Sequence, residues 1–117
     1  MRMWLTPPKL LCRQHLLGEH LEMHMFIGTI KKGINVSGYI ETGLLDPNKL
    51  QERHDELVSE MEKRGYSHYS PLESVDISYI DGKACIDAEG NLKELSSRCE
   101  ECRKLQEREE VQNAKIR

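Results

Sequence analysis

The stretch Thr6-Pro7-Pro8-Lys9-Leu10-Leu11-Cys12-Arg13-Gln14-His15-Leu16-Leu17-Gly18-Glu19-His20-Leu21-Glu22-Met23-His24-Met25-Phe26-Ile27-Gly28-Thr29-Ile30-Lys31-Lys32-Gly33 decides the fold class. Its two ends carry helix punctuation. Thr6 can cap orphan amides, and proline is tolerated in a first turn. Gly33 can take the left-handed position after a helix, and Lys31 and Lys32 oppose the negative end of the dipole. The pattern predicts a helix from Thr6 to about Lys32. On a 3.6-residue wheel Leu10, Leu17, Leu21, Met25 and Gly28 share one face, assigned to the core. His15, Glu19, Glu22 and Phe26 share a different face.

Outward from this helix, Asn35 to Leu45 holds Gly38 and Gly43 and reads as a loop with a short extended piece at Tyr39-Ile40. Asp46-Pro47 repeats the cap-plus-proline start, predicting a second helix to Arg64 before Gly65. Its buried stripe is Leu50, His54, Leu57 and Met61. Ile80-Asp81-Gly82-Lys83 permits a tight turn or hairpin. A third helix is predicted from near Asn91, with Leu92, Leu95, Cys99 and Cys102 on one side. The fold class is mainly α, a compact three-helix single domain with irregular loops. Residues 1–106 form the domain, and 107–117 a charged tail that frays.

Length and composition support one soluble domain. The 117 residues are 38% hydrophobic and 32% charged, too apolar for disorder throughout. No apolar run approaches the roughly 20 residues of a membrane span, and the amino-terminal residues lack a secretory pattern. A cytoplasmic location is expected, and four cysteines suit free thiols or a metal better than a disulfide framework. The net charge is -3, unevenly spread. Residues 1–33 hold five basic side chains against two acidic ones, net +3, which leaves -6 for the rest. That argues against broad nonspecific nucleic-acid binding but allows a local phosphate-contacting surface.

Several residues invite a metal reading. His20 and His24 are an i,i+4 pair, but Leu21 stands where the zinc-peptidase motif requires Glu, so a solvated helical flank explains them as well. Cys99-Glu100-Glu101-Cys102 has zinc spacing and lacks two further ligands, for which Cys12 and Cys85 are the other thiols. The alternative is two semi-apolar helix residues facing the core. His54, in mid-stripe, reads as a packed imidazole. Trp4 beside Arg2 either stacks on a base or covers the edge of the core.

The second residue, Arg2, is too large for methionine removal, so Met1 is expected to remain as a free amino terminus. An α-amine titrates near about 7.7–8.0, far below lysine, and its neutral form can build a Schiff base with an aldehyde carbon.

Leu5-Thr6, Gln14-His15-Leu16, Glu19, Glu22, Gly28 and Lys32 resemble, in order and spacing, the pyrimidine-dimer DNA glycosylases, the phage endonuclease V enzymes that excise UV-damaged bases. The similarity resumes at Leu57, Lys63-Arg64-Gly65-Tyr66 and Asp76-Ile77-Ser78, touching most of residues 1–80. The resemblance implies a three-helix fold and a glycosylase with abasic-site lyase activity. The Met1 α-amine would attack C1′ of the damaged nucleotide, and Glu22 would be the catalytic carboxylate. Arg2 and His15 would position the lesion and its phosphates, with Gln14, Glu19 and Lys32 completing the substrate-binding set. Two DNA-contacting arginines of the family align with Leu21 and Met25. The implied partner is damaged double-stranded DNA, bound by a monomer in the cytoplasm, or in a host cytoplasm if the protein is phage-encoded. No metal or organic cofactor is required by that chemistry. The alternatives are a non-catalytic nucleic-acid or protein binding module and a small zinc-stapled structural protein.

Overall fold

Glycines close the two long helices that form the centre of the fold. In the computed structural model, which describes residues 1–67, 70–80 and 84–116, α1 spans Arg13–Lys31. It ends at Gly33 (φ 74°), where the amides of Gly33 and Ile34 bond back to the carbonyls of Ile30 and Thr29. The short α2 spans Ser37–Glu41, and α3 spans Leu50–Lys63. The same closure recurs there at Gly65 (φ 85°), with Gly65 and Tyr66 donating to Glu62 and Met61. These are paired backbone bonds that a left-handed glycine permits at no Cβ cost. The hairpin α4 (Ala88–Arg98) and α5 (Glu100–Ile116) completes the structure. The chain is mainly helical, with no strand among the described residues.

Three helices become five among the described residues. The break expected nowhere in the third helix falls at Cys99, extended at φ −127°, ψ 110°. Asp87 caps α4 by accepting from the Gly90 amide, so the helix starts three residues before Asn91. The loop read at 35–45 contains α2 in place of an extended piece. Helical backbone continues past Glu107, where fraying is expected, to Ile116, and Lys9 reaches Glu109 at 2.6 Å. Of the turn read at Ile80–Lys83, residues 81–83 lie outside the described residues.

The first helix starts at Arg13, not Thr6. Pro7 precedes another proline, which pushes it out of the helical region to ψ 124°. A 3-10 turn at Pro8–Leu10 follows, and Cys12 then caps α1 from an extended conformation. The carbonyls thereby kept out of a helix take tertiary donors: Arg53 bonds Thr6 O at 2.8 Å, and Arg64 bonds Leu11 O at 2.7 Å.

The core face of α1 also differs. Leu21 and Met25 are 59% and 47% exposed, whereas Leu16, Glu19, Met23, Phe26, Ile27 and Ile30 are buried. Apolar side chains occur around the whole helix, so the wheel alone does not select a face. The selection comes from α3, which packs on α1 and offers Arg53 to Glu19. On α3 the stripe Leu50, His54, Leu57 and Met61 is buried as read. One core results. Met3, Trp4, Leu11 and Leu16 join it from the amino-terminal side, and Leu95 and Cys102 from the hairpin.

Candidate active site

The amino-terminal segment is threaded through the protein. Met3 and Trp4 are buried, and the Met3 amide donates to Leu44 O at 2.8 Å. Leu5 adopts the left-handed region (φ 53°), which costs about 1–3 kcal/mol for a side-chain-bearing residue. The kink lets Trp4 and Thr6 both turn inward. The Trp4 amide donates to Glu19 Oε2 at 3.2 Å, and Asn91 Nδ2 donates to Trp4 O at 2.9 Å. The chain start is thus tied to α1 and α4.

These ties bring the first peptide to Glu22. The Arg2 amide donates to Glu22 Oε2 at 3.3 Å, and Met1, Arg2 and Glu22 are all half-buried. A carboxylate with one amide donor keeps acceptor capacity for a reacting group.

Arg2 itself faces inward. Its guanidinium reaches Glu94 at 2.9 Å and Asn91 Oδ1 at 2.6 Å, and lies 3.8 Å from the centre of the Trp4 ring. Arg2, expected to contact phosphate, is placed among Glu94, Asn91 and Trp4. Trp4 therefore covers the core, beneath Arg2.

Glu19, expected in the substrate-binding set, lies inside the protein. Its side chain is buried and accepts from Arg53 Nε at 2.6 Å and from a second guanidinium nitrogen at 2.8 Å. The enclosed carboxylate ties Trp4 to α3. Gln14 and Lys32 are exposed at opposite ends of α1, some 18 residues or about 27 Å of helix apart.

His15 turns toward sulfur. Its Nδ1 lies 3.2 Å from Cys12 Sγ and 3.5 Å from Cys102 Sγ, while Cys12 Sγ lies 3.9 Å from Cys99 Sγ. The four ligand atoms are all within 4.8 Å of one another. Cys85, the other thiol considered, is exposed and outside the cluster. Burial, then the Arg98 charge, hold the His15 imidazole below its ordinary pKa, against the opposing pull of Glu22. Burial pushes the Cys102 thiol up to about 12. Trp4 meets the His15 ring edge-on at 5.9 Å, linking this cluster to the Arg2 side of the site.

A second cluster joins the i,i+4 pair of α1 to α3. The rings of His20, His24 and His54 lie 4.9–5.1 Å apart. His54 also bonds Asp55 at 3.0 Å.

Sequence reasoning missed Arg53, Asn91 and Glu94. Arg53 sits one residue before His54 in the buried stripe, but a charged side chain between Glu52 and His54 signals solvent. Asn91 and Glu94 meet Arg2 only through a contact some 90 positions away in sequence.

A family model described as pyrimidine dimer DNA glycosylase matches residues 1–74. Neither a curated protein nor a solved structure matches the chain.

Proposed function

The chain belongs to the pyrimidine dimer DNA glycosylase family, and from that membership we propose a glycosylase–lyase mechanism carried by Met1 and Glu22. The neutral α-amine of Met1 bonds to C1′ as the glycosidic bond breaks, and the electron pair leaves with the base, which takes up a proton. Opening of the sugar ring then gives an imine at C1′. That imine accepts the electrons released when C2′ loses its proton, and the strand parts with departure of the 3′ phosphate. Glu22 offsets the positive charge developing at C1′ and assists the proton transfers.

The observation that carries this reading is the 3.3 Å hydrogen bond from the Arg2 amide to Glu22. It joins the carboxylate to the peptide next to the amine. Buried Met3 and Trp4 hold that peptide in place, so the amine does not wander on a frayed end. The exposed Leu21 and Met25, on the same helix as Glu22, offer DNA an apolar contact in place of two charges. Fewer phosphate contacts make binding less salt-sensitive than in a strongly basic relative.

A single glycine added before Met1 tests the mechanism. It moves the amine by about 3.8 Å, and strand cleavage on a dimer-containing duplex should fall about 10²-fold or more. Full cleavage by the extended chain would contradict the assignment of the amine.

A further inference from the structure

The family match ends at residue 74, yet α4 and α5 share the core with the matched region. Something must hold a short, charged hairpin there. The thiol–imidazole cluster lies at that junction, with two ligands from each side: Cys12 and His15 from the matched region, Cys99 and Cys102 from the hairpin. We propose that Cys12, His15, Cys99 and Cys102 bind a structural zinc ion that fastens the α4–α5 hairpin to the family domain.

The donor set and spacing fit. Zinc takes sulfur at about 2.3 Å and nitrogen at about 2.0–2.1 Å, so a tetrahedron has S···S edges of about 3.8 Å and S···N edges of about 3.6 Å. The corresponding separations here are 3.9 Å for Cys12–Cys99, and 3.2 and 3.5 Å from His15 Nδ1 to Cys12 and Cys102. Both ligand pairs have the same local build. Cys12 precedes α1 and His15 lies in its first turn; Cys99 precedes α5 and Cys102 lies in its first turn. The extended break at Cys99 is what turns the second pair toward the first.

A backbone amide supports the site: Cys12 N–H donates to Cys102 Sγ at 3.3 Å. The two pairs lie at the starts of α1 and α5, whose positive dipole ends favour anionic thiolates. On binding, three thiols release their protons to solvent and neutral His15 keeps its own on Nε2. The ion's double positive charge against three thiolates leaves the centre at −1. Four protein ligands close the tetrahedron, so this is a structural ion with no open position for substrate.

In this site His15 is a metal ligand, turned toward the three sulfurs. Through Trp4, which contacts His15 on one side and Arg2 on the other, the ion would stiffen the segment leading to Met1.

The test reads metal and spectrum without DNA, so its outcome is independent of the glycosylase reading. Chain purified without a polyhistidine tag should contain roughly one zinc per molecule. Its cobalt-substituted form should show sulfur-to-cobalt charge-transfer absorption and tetrahedral ligand-field bands. Cys99→Ser and Cys102→Ser should lose most of the metal, and Cys85→Ser should keep it. Chelation should open the hairpin to proteolysis ahead of residues 1–67. If the serine variants fail to fold, the cobalt spectrum of the unaltered chain still decides. A folded chain whose cobalt spectrum lacks the thiolate band would overturn the proposal, including the case in which cobalt sits on His20, His24 and His54 alone.

Discussion

Glu19 and Glu22 stand one turn apart on α1 and live in different surroundings. The inner region, around Glu19, is dry: the carboxylate is enclosed, held by two guanidinium bonds from Arg53 and one from the Trp4 amide. The outer region, around Glu22, is half-open, and the carboxylate meets one amide at 3.3 Å. A carboxylate enclosed and held by three donors serves the fold. One with a single donor among the described residues, beside a chain start, is left able to serve a reaction. On the proposed mechanism, two copies of one residue type on one helix are divided between architecture and chemistry by a rotation of about 300°, three residues at 100° each.

The strongest way to break that division is at Glu19. Glu19→Ala leaves Arg53 charged, buried and without its main partner, and should cost about 3–5 kcal/mol of unfolding free energy. Arg53→Ala should cost a similar amount, as measured by urea denaturation. Replacing both by apolar residues of like volume should recover much of the loss. Milder behaviour of the single variants would show that water reaches the pair.

Glu22 should behave in the opposite sense. Glu22→Gln is expected to change stability by no more than about 0.5 kcal/mol while slowing strand cleavage about 10²-fold or more. Comparable losses of stability in Glu19→Ala and Glu22→Gln would erase the comparison.

Asn91 sharpens it from the hairpin side. Its side chain links Trp4 O to the Arg2 guanidinium, so Asn91→Ala should cost about 1–3 kcal/mol through the groups left unpaired. It should also lower cleavage by loosening the segment before Met1.

The smallest effect belongs to the Lys31–Glu73 pair, exposed on both sides at 61% and 59%. Lys31→Ala should move stability by less than about 0.5 kcal/mol, and added salt should diminish even that. An ion pair's distance says little; 2.6 Å for Arg53–Glu19 and 2.7 Å for Lys31–Glu73 are nearly equal, and burial separates them.

What could be read in advance follows the same physics. The stripe Leu50, His54, Leu57, Met61 was legible because the rest of α3 is almost wholly polar, leaving one possible core face. Gly33 and Gly65 were legible because a backbone requirement acts locally. The face of α1 was not, since Leu21 and Met25 are as apolar as Met23 and Ile27, and only contact with Arg53 decides between them. The zinc-like spacing of Cys99 and Cys102 was visible, as was Cys12 as a spare thiol. The resemblance assigns His15 to DNA, and its place among the sulfurs depends on the turn at Cys99. Glu22 could be chosen by resemblance alone; its bond to the Arg2 amide comes from a segment that carries a left-handed kink at Leu5, which nothing in that leucine announces.

The most direct measurement of the central claim is borohydride reduction of the untagged protein on a dimer-containing duplex, followed by mapping of the covalent adduct. The account predicts a stable protein–DNA adduct whose modified peptide begins at Met1, with a parallel adduct on a duplex bearing an abasic site. A folded protein that binds either duplex without forming an adduct, or an adduct on a lysine side chain, would contradict it.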